Sequence, residues 1–279
     1  MNAGVLLLVL LAALLHASWN LLVKAARDTR LATAGVYIGG GVIGALVLPF
    51  LPPPARASWL YLGVATALEL LYGTLLAAAY RVGDLSHAYP LMRGAAPLLV
   101  AIGSGVLIGE HLSSGTWLGI ALVSSGIFSM IFDARARGHS GAATRLALLN
   151  ALVIAAYTTV DGIGVRLSGH PITYSLWLSI LIAIPWSVWA VARRSARRAS
   201  ELRCELPRAA VGAICSVASY SLALWAMTRA PVAAVAAVRE TSIVFGTALG
   251  ALALHERVSW VRAVAAVAIA LGVWAIRAH

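Results

Sequence analysis

Charge is scarce in this sequence. Only 11% of its 279 residues are Asp, Glu, Lys or Arg, against about 25% in soluble domains. That excludes a water-facing globular surface over most of the chain. Acid is scarcer still, 10 Asp/Glu against 21 Lys/Arg, for a net charge of +11. The basic residues are scattered between apolar runs, so the excess fits loops lying against anionic lipid and gives no support to nucleic acid as a partner. Cysteine is nearly absent. Cys204 sits in a basic stretch and Cys215 in an apolar one, which yields neither a disulfide framework nor a metal site. No Gly-Lys-Ser/Thr phosphate loop occurs, and the seven histidines do not cluster at metal-binding spacing. ATP drive, a metal and a cofactor are therefore not expected, and no nucleophile–base pair marks an enzyme.

What the chain has instead is apolar length: 61% hydrophobic residues and a mean hydropathy of +0.89. About 20 apolar residues cross the hydrocarbon of a bilayer. Ten such segments fit, near 3–23, 32–51, 58–80, 86–109, 115–132, 144–166, 172–192, 208–228, 232–254 and 259–276. The first reads as an uncleaved span, because no basic region precedes it and its apolar character runs on past His16. Two joints are longer than the rest, the polar 133–143 and the basic 193–207.

The chain also repeats itself. Arg93, Glu110 and Ser113 recur 146 residues on as Arg239, Glu256 and Ser259; Tyr72 and Arg81 recur 148 residues on as Tyr220 and Arg229. Fixed spacing of charged landmarks means two copies of one unit, here 1–137 and 138–279. Each copy has five spans, an odd number, so the second enters the membrane the other way up. The expected fold is an all-α integral membrane protein of ten transmembrane helices in two five-helix inverted-topology repeats. Proteins built this way move solutes at a midplane site between the repeats. The loops after odd-numbered spans carry 15 Lys/Arg against four on the other side, which puts both termini outside a plasma (cell inner) membrane.

Buried charge points to the site. Glu69 is the one acid near the middle of a span in the first copy, and Val217 occupies its place in the second. The scaffold does not need it, and a charge kept in hydrocarbon marks an ion or substrate path. Its structural alternative is a protonated or arginine-paired carboxyl, with Arg93 as the obvious partner. Arg93 and Arg239 suit an anionic substrate group, or else pin helices together; Glu240 beside Arg239 would partly neutralise it. His16, Trp19 and Asn20 share a face of span 1, with Lys24 and Arg166 expected to snorkel at the headgroups. Asp161 in span 6 and the polar-tipped Tyr72, Tyr89 and Tyr220 complete the candidate substrate-binding set. Pro90 and Pro97 are expected to break span 4 and turn freed carbonyls toward the cavity. Glu110 and Glu256 read as helix-end residues. Rows of small residues, Gly40/Gly44, Ala101/Gly105/Gly109 and Gly246/Gly250, permit close helix approach, inside the monomer or across a homodimer face on spans 4–5 and 9–10.

The stretches HASWNLLVK (16–24), YRVGDLSHAYPLMRGAAPLLV (80–100), GEHLS (109–113), YTTVDGIGVR (157–166) and HERVS (255–259) resemble the EamA family of the drug/metabolite transporter superfamily. The resemblance implies a ten-helix transporter of a small metabolite, often exported, with its cavity between spans 1, 3, 4, 6, 8 and 9. Many members have no acid where Glu69 sits, so a proton-coupling role for Glu69 rests on the physical argument alone. A lipid-linked carrier translocase and a membrane scaffold or sensor are the alternatives.

Overall fold

The computed structural model describes residues 1–82, 85–133, 141–192, 196–255 and 258–278. Glu256 and the expected boundary at 137/138 lie outside them. Every long element is a helix, as lipid requires: with no water to satisfy backbone groups, a single span must bond within itself. In chain order these are α1 (Ala3–Lys24), α2 (Thr29–Val47), α3 (Trp59–Val82), α4 (Leu85–Leu107), α5 (Ser114–Ser129), α6 (Gly141–Ser168), α7 (Pro171–Ala192), α8 (Ala196–Met227), α9 (Val232–Arg239), α10 (Ser242–Leu254) and α11 (Trp260–Ala278). With α9 and α10 taken as one broken span, ten are long and apolar enough to cross a membrane. Local chemistry sets their ends. Asn2, Asp28 and Ser113 accept from the first free amides of α1, α2 and α5. Gly169, at φ +68°, turns the chain out of α6 and Pro171 opens α7.

The packing has the symmetry of an inverted repeat. α3 lies on α6 as α8 lies on α1; α2 lies on α8 as α7 lies on α3; α2 meets α7 and α5 meets α11. Each contact is its own mate, or has one, when spans 1–5 are exchanged with 6–10. Leu7, Leu46, Phe132, Leu252 and Trp274 point outward, an apolar exterior suited to lipid.

The structure corrects two local expectations. Span 4 is one helix through both Pro90 and Pro97, packed among α5, α6 and α9, and proline is tolerated in membrane helices so packed. The break falls in span 9. There the amides of Glu240 and Thr241 bond three residues back, to Ala237 and Val238, and the Thr241 hydroxyl donates to the same Val238 carbonyl at 2.7 Å. Such back-bonding competes with the helix ladder and bends it. The stretch 193–207 is not a loop from Ala196 onward: α8 extends through it, because its Ala, Arg, Glu and Leu favour helix.

Of the small-residue rows, Gly40 and Gly44 pack inside the monomer, against Ser179, Val217 and the Leu176 carbonyl. The tightest backbone approach is between α5 and α11. A Cβ on Gly119 would fall 2.6 Å from the Gly272 carbonyl oxygen, and one on Gly272 would fall 2.6 Å from that of Gly119. Gly272→Val forces the two spans apart, and overpacking of this kind costs about 1–3 kcal/mol. A clearly lowered Tm in detergent is the expected result.

Candidate functional site

The centre of the bundle is a chain of hydroxyls and carboxyls. Asp161, fully buried on α6, accepts from the Tyr174 hydroxyl of α7 at 3.0 Å. Its other oxygen accepts from the Tyr220 hydroxyl of α8, and that hydroxyl lies 2.9 Å from Glu69 Oε1 on α3. Tyr220 has one proton to give and two carboxyls to face. Both contacts are hydrogen bonds only when one carboxyl carries a proton and donates back to the phenol oxygen. The cluster therefore has a place for one exchangeable proton.

The arginines divide. Arg93 does not pair with Glu69. Instead it forks onto Glu240, Nε to Oε2 at 2.9 Å and Nη2 to Oε1 at 2.8 Å, with side chains only 12% and 7% exposed. The break after α9 is what aims Glu240 across at α4, so Glu240 neutralises Arg93 rather than its neighbour Arg239. Arg239 has no carboxylate within ion-pair distance among the described residues. Its guanidinium rests 5.4 Å over the Tyr220 ring, a cation–π contact that still leaves its N–H donors unassigned. Arg93, Pro97, Tyr157, Thr158, Arg239 and Glu240 border a small cleft between α4, α6 and α9, with room for about 20 Å³.

Aromatic rings surround these charges. Tyr72 meets Tyr157 edge-on at 6.0 Å, and half-buried Tyr89 lies one turn before Arg93 on α4. His16 and Trp19 are 5.4 Å apart, Trp19 reaches Tyr37 at 6.3 Å, and Tyr37 stacks on Trp186 at 5.6 Å. The two span 1 aromatics thus begin a row through α2 and α7. Asn20 is exposed and donates to the His16 carbonyl of its own helix, so it is not brought to the cluster. Glu69, Asp161, Tyr220 and Arg239 converge directly; Tyr72 stands on the wall through Tyr157, and Arg93 on the wall through Glu240.

Arg166, expected to snorkel, is held by protein groups, and Glu110, at the helix end expected for it, is one of them. Arg166 donates to Glu110 at 2.6 Å and to the carbonyls of Met227 and Ala230. Sequence reasoning also passed over Tyr174, Tyr37 and the Glu240–Arg93 pairing. For Glu240 the signal was present, a second buried acid in a span, but its direction depended on the helix break. Tyr174 carried no signal beyond being an aromatic near a helix start.

A model of the EamA-like transporter family matches residues 143–278, and the first half repeats the landmarks of that unit in the same order. The chain belongs to the EamA family. Members of it are membrane transporters of the drug/metabolite superfamily, and this EamA protein is a multi-pass membrane transporter. A solved protein crystal structure has the same fold, with a TM-score of 0.73 at 18% identity over 99% of this chain and 96% of the other. No curated protein matches the sequence.

Proposed function

We propose that this EamA protein is a proton-coupled secondary transporter that exports a small metabolite carrying both an amine and an acidic group, an amino acid or a similar solute, by alternating access. The observation that carries the reading is the pairing of two unlike charges at one tyrosine. At the hydroxyl of Tyr220, Glu69 and Asp161 offer an acceptor for an ammonium group or a proton. Over the ring of the same tyrosine, Arg239 offers unpaired donors to a carboxylate. Lipid-depth charges left in this state are costly unless they serve passage. Protonation and amine binding compete for the same carboxyl pair, which is the minimal arrangement for exchanging one against the other. The surrounding tyrosines and Trp19 would line the solute's apolar part. The charge bias of the loops supports an orientation with both termini outside a plasma (inner) membrane, the basic loops facing anionic lipid headgroups on the other side.

The test is proton movement by purified protein in liposomes, on addition of a panel of amino acids, simple amines and small organic acids. Zwitterions are expected to drive proton movement. Arg239→Gln should raise KM for them about tenfold or more, since charge-assisted hydrogen bonds contribute about 1.5–3 kcal/mol, and should spare amines without a carboxylate. Silence across the panel, with counterflow also absent, overturns the reading in favour of a lipid-linked carrier.

A further inference from the structure

We infer that Glu110, Arg166 and the start of α9 form a latch that holds shut the end of the bundle bearing both termini, and that its release opens the substrate cavity to that side. The inference rests on the alternating-access reading above and adds the gate to it. Gly109, at φ +75°, ends α4 in a left-handed turn, and the Glu110 amide returns to the Ser104 carbonyl at 3.2 Å. That turn swings the Glu110 carboxylate over the start of α9, where both its oxygens accept from the Val232 amide at 3.0 Å. An acid at a helix N-terminus also meets the positive end of the helix dipole. Arg166, at the end of α6, then closes the ring: Nη2 donates to Glu110 at 2.6 Å and to the Ala230 carbonyl at 3.1 Å, and Nε donates to the Met227 carbonyl at 2.8 Å. One carboxylate and one guanidinium thereby tie the α4–α5 turn of the first repeat to α6, α8 and α9 of the second. The pair is largely withdrawn from water, at 10% and 30% exposure.

The packing beneath the latch gives independent support. The largest buried cluster gathers Val5 and Val9 of α1, Leu62 of α3, Val100 of α4, Val165 of α6 and Leu224 of α8, with much of α9. Each of these lies in the half of its helix nearer the termini. Away from that end the described core divides into two smaller clusters, one between α3, α4 and α6 around Ala79, Met92 and Ala151, and one between α5 and α11 around Val123, Ile127 and Ile269. The bundle is plugged at the terminal end, and Tyr174, itself part of the plug, bonds Asp161 from it. The latch is the polar seal on an apolar plug, and because it spans both repeats, it must part when the repeats rock.

Thiol accessibility tests the gate without knowledge of the solute. Cys204 and Cys215 are replaced by Ser, Thr158→Cys reports on the cleft, and Ala278→Cys in a parallel sample identifies the terminal face of the membrane. An impermeant thiol reagent on that face should label T158C slowly in the parent, and about tenfold faster once Glu110→Gln or Arg166→Gln is added. Exchanging the two charges, E110R with R166E, should not restore slow labelling, because α9 needs an acceptor and the α8 carbonyls need donors. Conversely, E110C with R166C, joined by a reversible bis-methanethiosulfonate linker, should arrest flux until dithiothreitol releases it. Unchanged labelling in both Gln variants overturns the latch, as does full flux through the cross-linked pair. Faster labelling in a protein that moves no solute of the panel leaves the latch standing and removes only the substrate reading.

Discussion

Glu69→Gln should abolish proton-driven accumulation while leaving the protein folded, inserted and able to exchange solute. Glutamine has the same reach and can still bond the Tyr220 hydroxyl, now 2.9 Å from Glu69, so neither the α3–α8 contact nor the packing around it is lost. What disappears is the exchangeable proton. If Glu69 is the carboxyl that gives up its proton as solute binds, net flux driven by a pH gradient falls to the level of empty liposomes, a loss of at least about tenfold, or 1.4 kcal/mol. Counterflow of labelled against unlabelled solute, which needs no net proton movement, continues. Loss of both activities would instead make Glu69 the amine ligand, with Asp161 as the proton carrier. Unchanged gradient-driven flux would remove Glu69 from the mechanism. Asp161→Asn is not an equivalent probe: Asp161 is fully buried and bonded by two tyrosines, so its replacement disturbs a core network as well as a charge.

Much of the architecture was legible because lipid reduces the vocabulary. A span must be a helix of fixed length, so the ten apolar runs were found with ends mostly within three residues, and the repeat of Arg93 and Glu110 at Arg239 and Glu256 implied the two-fold packing later seen in the α3–α6 and α8–α1 pairs. Errors arose where tertiary contacts outweighed local chemistry. Pro90 and Pro97 are strong breakers by themselves, yet α4 is supported by α5, α6 and α9 and continues. The span 9 break contains neither Pro nor Gly; it follows from a threonine back-bond and a glutamate drawn sideways to an arginine. Partners were harder to read than members. Glu69, Asp161, Tyr220 and Arg239 were all singled out, but periodicity places a side chain on a face and does not choose among the facing groups. The Glu69–Arg93 pair, weighed as the structural alternative for Glu69, therefore does not form, and Arg93 pairs with Glu240 instead. Arg166 illustrates the same limit: near a helix end, snorkelling and an interhelical bond look identical in sequence.

The Arg93–Glu240 pair separates structural from substrate-binding charge, and its disruption should be the most damaging single change to stability. Arg93→Met keeps the length of the side chain but leaves Glu240 buried with no counter-charge, and breaking such a pair costs about 3–5 kcal/mol. Glu240 has only 7% of its side chain exposed, so little solvent is available to compensate. Adding Glu240→Gln removes the stranded charge. Since replacing both members of a buried pair is often close to neutral, the double variant should recover most of the lost Tm. Transport then decides what Arg93 does. If it only pins α4 to the break in span 9, the double variant moves solute with a near-parental KM, and Arg239 alone accounts for recognition of the acidic group. If stability returns but KM remains raised about tenfold, the substrate competes with Glu240 for Arg93. In that case the ion pair seen here is the resting form of the anion site, opened by the substrate each time it binds.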